Sequence, residues 1–183
     1  MGDLRELSDE DLALRARTEP HGAFEVLFER HRGPLYNFLL RQGADAGRVD
    51  DLFQVTFFKA FRALPGFREE SRFKTWLYTI AVHVLTDDRR ATLRRGPTTE
   101  IRETMLVTEP ELPRRDEIDL VKTALDQVPA NHRRLFTLVR FQGLPIAEAA
   151  KAVGMTPAAA KVTLFRTTRR VGELLSPARE KMK

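Results

Sequence analysis

Four cations crowd one stretch near the end of this 183-residue chain: Lys161, Arg166, Arg169 and Arg170, with Thr163 among them. No acidic residue lies between Glu148 and Glu173. A basic stripe of this kind is either a solvated face or a surface that neutralises phosphates. Bond-making chemistry finds no comparable support. The chain has no phosphate-cradling GxxxxGK, no HExxH and no GxSxG. His21, His31, His83 and His132 are scattered without metal-ligand spacing, and cysteine is absent. Asp50-Asp51 and Asp87-Asp88 are adjacent pairs on expected helices, where neighbours point about 100° apart and do not converge. The sequence therefore predicts a binding protein with no catalytic residue, metal or cofactor.

Two further stretches carry binding chemistry. Phe67 to Tyr78 interleaves aromatic rings with Arg68, Arg72 and Lys74. Rings can stack unpaired bases while cations hold the backbone, which fits single-stranded DNA. The same rings have helical spacing at Phe73, Trp76, Leu77 and Ile80, so packing in a core competes with stacking. The second stretch is Arg48 to Leu64. On a helical wheel Val49, Phe53, Phe57, Ala60, Phe61 and Leu64 form one apolar arc. Leu52, Val55 and Phe58 fall on the other side, among Asp51, Gln54, Lys59 and Arg62. A mixed apolar and polar second face suits docking to another protein, or packing on an N-terminal helix.

The elements that must position these residues are all helical. Asn131–Phe141 reads as an amphipathic helix closed at Gln142-Gly143. Pro145–Val153 is a short helix stopped at Gly154, and Met155-Thr156-Pro157 opens the basic helix. Short helix, glycine-containing turn and basic helix form the helix-turn-helix pattern that places a recognition helix in a DNA groove. Upstream, Ser8 caps a first helix, and Gly22–Leu40 forms a second with a kink expected at Gly33-Pro34. Arg48–Leu64 and Phe73 to about Arg90 follow as a third and a fourth. No alternation of period two calls for a strand.

Charge divides along the same lines. The net +5 comes from a nearly balanced first 90 residues, 14 basic against 15 acidic, and a basic 115–183, 13 against 7. Residues 91–114 carry Pro97, Pro110 and Pro113 and few large apolar side chains, which suits an extended linker, or else a loop within a single domain. The expectation is an all-α chain of two small domains, 1–90 and 115–183, joined by the linker 91–114. The acidic, polar first 19 residues do not read as a secretory signal, and no apolar run approaches the roughly 18 residues of a membrane span. A cytoplasmic protein is expected.

These motifs, in this order and spacing, resemble the extracytoplasmic-function (ECF) type of bacterial RNA polymerase sigma factor. Val49 to Phe61 is similar to the family's AEDLVQEVFLRLW helix, with Asp51 and Gln54 matching directly. Phe73 to Ala81 is similar to its FRTWLYRIA promoter-melting segment, and LPIAEAAKAVGMT to its LSYEEIAELLGI. The resemblance implies docking on core RNA polymerase through Asp51, Leu52, Gln54, Val55 and Phe58. It implies contact with a separated −10 strand through Phe67, Arg68, Ser71, Arg72, Lys74, Thr75, Trp76 and His83. It implies contact with a −35 duplex through Lys161, Thr163, Arg166, Arg169 and Arg170. An anti-sigma factor is an implied further partner.

Three departures stand out. Val82-His83 replaces the family's Arg-Asn, which implies altered −10 base choice. The spacing from Asp87 to the paired arginines is shortened, to Asp88-Arg89-Arg90. Val162-Thr163 replaces a Ser-Arg pair in the recognition helix, which implies unusual or weaker −35 reading. Two other readings use the same residues: a helix-turn-helix regulator that acts without polymerase, and a sigma-like interaction protein that no longer reads promoters.

Overall fold

The computed structural model describes residues 3–43, 46–95 and 115–180. Among them there is no β-strand, and eight α-helices carry the fold. The N-terminal domain holds α1 (Asp9–Ala16), α2 (Pro20–Leu40), α3 (Ala46–Ala63) and α4 (Phe73–Arg95). The C-terminal domain holds α5 (Arg115–Asp126), α6 (Ala130–Arg140), α7 (Ile146–Ala152) and α8 (Pro157–Glu180). Most of the expected linker, residues 96–114, lies outside the described residues, whereas 91–95 continue α4.

Ser8 caps α1 as expected: its Oγ accepts from the Asp11 N–H at 3.1 Å, and three acids follow in the first turn. The kink expected at Gly33-Pro34 lies elsewhere. Non-helical backbone falls at His21 and Gly22, with Gly22 at φ 81°, and Pro34 sits inside a continuing helix. Proline forfeits one backbone hydrogen bond there, but Leu27, Leu35, Phe38 and Leu39 around it are fully buried. Their packing outweighs the lost bond.

Helix α3 lies between α2 and α4. Its core side carries Val49, Phe53, Phe57 and Ala60, all buried. Phe53 and Phe57 meet Phe28 at ring centroid distances of 5.9 and 4.6 Å. Phe61 departs from the expected core arc: it touches Phe24 at 5.0 Å yet stays 43% exposed, at the open end of the helix pair.

The two domains close on one another, with α7 packed against α4. Hydrogen bonds and one cation–π contact tie the seam. Gln42 donates to Thr137 Oγ1 at 3.0 Å, and Arg134 donates to Thr86 Oγ1 at 3.0 Å. The Arg41 guanidinium lies 4.4 Å from the centre of the Phe141 ring. Gly43, at φ 86°, sits so close to the Arg133 guanidinium that a Cβ there would collide with it.

Candidate functional site

Three surfaces receive the residues singled out by sequence. The first is the outer side of α3. Val55 is 42% and Phe58 61% exposed, and Gln54 beside them is exposed. Asp51 is half-buried and pairs with Arg48 at 3.6 Å; Arg48 also reaches Asp88 of α4. The Arg62 guanidinium hangs 5.7 Å from the Phe58 ring centre. Val55, Phe58, Arg62 and Ala63 form one wall of a groove of about 830 Å³, and Ile80, His83, Asp87 and Arg90 of α4 form the other. Leu52 does not belong to this surface. It is 4% exposed, because a helix held between two neighbours buries a wider arc than one stripe. The alternative that the N-terminal helix covers this face is not what the structure has: α1 packs on α2 and α4.

The second surface is the loop before α4 and the start of that helix. Here the rings are core. Phe67 is 2% exposed and meets Trp76 and Phe73 at 5.4 and 6.0 Å, so it is withdrawn from the expected strand contacts. Trp76 remains half-buried, and Arg68 and Arg72 are exposed, with Ser71 and Lys74 partly so. Glu10 of α1 positions the segment: its carboxylate accepts from the Phe73 N–H at 3.0 Å and so caps α4. Helix α1 is itself pinned by Asp9, which accepts from Arg30 at 2.7 Å and contacts His31 Nε2 at 2.6 Å. The His31 bond, with Arg30 beside it, holds the Asp9 carboxyl down at about 2 against the raising effect of burial.

Thr75 also departs from expectation. It is 7% exposed, and its Oγ1 donates to the Glu148 carboxylate of α7. Tyr78, on the same face of α4, is fully buried. Burial pushes its phenol pKa up, and its hydroxyl donates to Gln142 Oε1 at 2.6 Å. Gln142 in turn donates to the Pro34 carbonyl at 3.4 Å. Sequence reasoning passed over Gln142, Glu148 and Arg134, which close this seam; no local periodicity marks them. Arg134 is 6% exposed, and burial first, then Arg89 and Arg133, push its pKa down. His83 points away from the seam, exposed beside Phe58.

The third surface is the helix-turn-helix. Helix α7 ends at Val153, and Gly154, at φ 71°, supplies the left-handed turn. Thr156 Oγ1 accepts from the Ala159 N–H at 3.2 Å and caps α8, with Pro157 at its first position. Ala160, Leu164, Thr167 and Val171 are buried and set the helix rotation. Lys161, Arg166, Arg169 and Arg170 are left exposed, Thr163 only partly so. Val162 and Phe165 stand 52% and 70% exposed between them.

Two family models match the chain. The family model for Sigma-70 region 2 matches residues 27–95, and that for Sigma-70 region 4 matches residues 118–171. RNA polymerase sigma factor CarQ of Myxococcus xanthus is 30% identical, over 88% of this chain and 94% of its own length. RNA polymerase sigma-H factor of Pseudomonas aeruginosa is 28% identical, over 95% and 97%. Among solved structures, CnrH in complex with the cytosolic domain of CnrY superposes with a TM-score of 0.71 at 25% identity, over 92% of this chain and 97% of that one. RpoE in complex with the anti-sigma factor NepR from Bartonella quintana shares the fold, with a TM-score of 0.68 at 24% identity, over 84% and 96%.

The chain is an RNA polymerase sigma factor. It belongs to the ECF type, with the two sigma regions forming the two helical domains.

Proposed function

We propose that this chain binds core RNA polymerase, carries it to a subset of promoters and helps open the duplex, by binding energy alone and with no reaction of its own. The observation that carries the reading is one chain with two unlike surfaces: the apolar side of α3 left open at Val55 and Phe58, and the basic outer face of α8. An apolar, cation-fringed patch fits a protein partner, and the first four turns of α8, which hold no acid before Glu173, fit phosphates. Contact with a separated strand is assigned to Arg68, Ser71, Arg72, Lys74 and Trp76 at the start of α4 and to His83; the exposure of Arg68, Arg72 and His83 supports it. Residues 1–90, the linker and 115–183 then act as docking and melting domain, tether and duplex-reading domain.

Core polymerase and promoter DNA place its work in the cytoplasm, and among the described residues no helix is long and apolar enough to cross a membrane. CnrH was solved with a protein bound. An anti-sigma factor that covers the same apolar side of α3 is part of the proposal. Run-off transcription with purified core polymerase tests the whole reading: promoter-dependent starts are expected only when the chain is added. DNA binding without such starts would leave an ordinary helix-turn-helix regulator.

A further inference from the structure

The outward face of α8 carries two exposed apolar side chains, Val162 and Phe165, among its cations. Taking about 100° per residue, the buried side formed by Ala160, Leu164, Thr167 and Val171 lies opposite an arc centred on Val162 and Arg169. Ala158 and Phe165 flank that centre on one side and Arg166 on the other. Lys161 and Arg170 lie at its margins. Thr163 sits nearer the core and is partly covered. A helix laid in a major groove presents its outward centre to the base edges and its margins to the phosphates.

Resting on the reading of this chain as a sigma factor, we infer that Val162 and Phe165 read thymine 5-methyl groups in the upstream duplex element. Thymine is the one base that offers a methyl group in the major groove, and apolar side chains are its complement. Neither Val162 nor Phe165 can donate or accept a side-chain hydrogen bond, so donor–acceptor reading is closed to them. Charge decides between DNA and a protein as the occupant of this stripe. Cations stand on both sides of it, and the sequence from 149 to 172 contains no acid. The element this chain prefers is therefore thymine-bearing where Val162 and Phe165 sit, with Arg166 beside them for guanine or phosphate, while Arg169 is paired with Glu173 at 3.5 Å.

The test uses holoenzyme assembled from the full chain and core polymerase. A promoter pool randomised over the upstream element is selected for binding. The selected duplex is then resynthesised with each thymine replaced in turn by deoxyuridine, which removes only the methyl group. Wild type is expected to lose about fourfold in affinity for each methyl it reads. The Val162→Ala, Phe165→Ala double variant is expected to bind thymine and uracil forms alike. Both side chains are largely exposed, so the fold does not depend on them, and unchanged helicity by circular dichroism checks that. Arg166→Ala is expected to weaken both forms equally. Indifference of wild type to every methyl, or a methyl preference kept by the double variant, overturns the inference while leaving the sigma reading intact. A pool left without any preference in the upstream element, while promoter-dependent starts persist, overturns it as well. No enrichment and no promoter-dependent starts would instead sink the sigma reading and this inference with it.

Discussion

The Tyr78 hydroxyl donates to Gln142 Oε1 at 2.6 Å, and this bond joins α4 to the turn between α6 and α7. Thr75 and Glu148 repeat the relationship one turn earlier on α4. A chain that holds a −10 strand and a −35 duplex together must span about 80 Å of DNA at 3.4 Å per base pair. Surfaces on α4 and on the α7–α8 unit that are packed side by side do not reach that far. On the proposed reading the closed seam is a form of the free chain, and promoter engagement is expected to part it. Gln142→Ala leaves the Tyr78 hydroxyl buried without its partner, which costs the closed form about 1–3 kcal/mol and raises the ratio of open to closed form by about 5- to 150-fold. Dyes on cysteines introduced at the exposed Glu70 and Glu173 report it by energy transfer. The inter-dye distance is expected to lengthen in the promoter complex, and in free Gln142→Ala relative to the parent. A distance unchanged by promoter binding would count against an opening step.

Leu52 and Phe58 lie on one helix and separate fold from docking. Phe58→Ala removes a ring that is 61% exposed. Thermal stability should hold, while affinity for core polymerase falls about 30-fold if the ring is a central anchor. Leu52→Ala empties a site that is 4% exposed and should cost about 2–5 kcal/mol of stability. Thermal melts and competition for core polymerase, run on both variants, distinguish them. Equal core affinity for Phe58→Ala and the parent would remove α3 from the docking surface.

The same pair marks how far the sequence could be read. Most helix positions, the Ser8 cap and the Gly154 turn follow from periodicity and capping residues, so the all-α architecture was legible, although α5 (Arg115–Asp126) was not singled out. Leu52 was assigned to the wrong side because a wheel drawn for one neighbour underestimates a helix packed on both α2 and α4. Alternating rings and cations look alike whether the rings stack on bases or on each other, so the contact that the family resemblance implies for Phe67 gives way to packing on Trp76. Thr75 is covered by Glu148, 73 positions away, and nothing within a helical turn of either residue encodes that meeting. The proline at 34 misled for a related reason, since its tolerance depends on tertiary burial of Leu27, Leu35 and Phe38.

Asp9 makes the N-terminal domain sensitive to acid. The His31 bond, then Arg30, hold its folded carboxyl at about 2, below the ordinary 3.8. A carboxylate with a depressed folded value lends stability above its unfolded pKa, and that contribution fades as pH falls through the folded one. Asp9→Asn should therefore be less stable than the parent at pH 7, by about 1–2 kcal/mol for a charge-assisted hydrogen bond. The gap should narrow between about pH 4 and pH 2. Urea denaturation across that range, with the seam-opened Gln142→Ala as background, checks it. A gap independent of pH would mean that the His31 and Arg30 contacts are not charge-linked. Because α1 supplies Glu10 to cap α4, the same variant should also loosen the melting segment, seen as faster amide exchange at Phe73.

Lys161 and Arg166 are exposed on either side of Val162 on α8, and on the proposed reading their charge meets phosphate or a base edge. Each phosphate contact releases counterion, so affinity falls with salt in proportion to the number of contacts. The double variant Lys161→Ala, Arg166→Ala should bind the upstream duplex more weakly at low salt. Its log–log salt slope should be shallower by about 1.8 if both side chains contact phosphate, and by about 0.9 if Arg166 instead reads a guanine. In the second case sequence preference at one base pair relaxes by about 1–3 kcal/mol while the other positions keep theirs. Titrations of holoenzyme on the selected duplex at several salt concentrations separate the outcomes. A slope equal to the parent's would place both cations off the DNA and turn α8 around in the groove, with Arg169 and Arg170 left to supply the phosphate contacts.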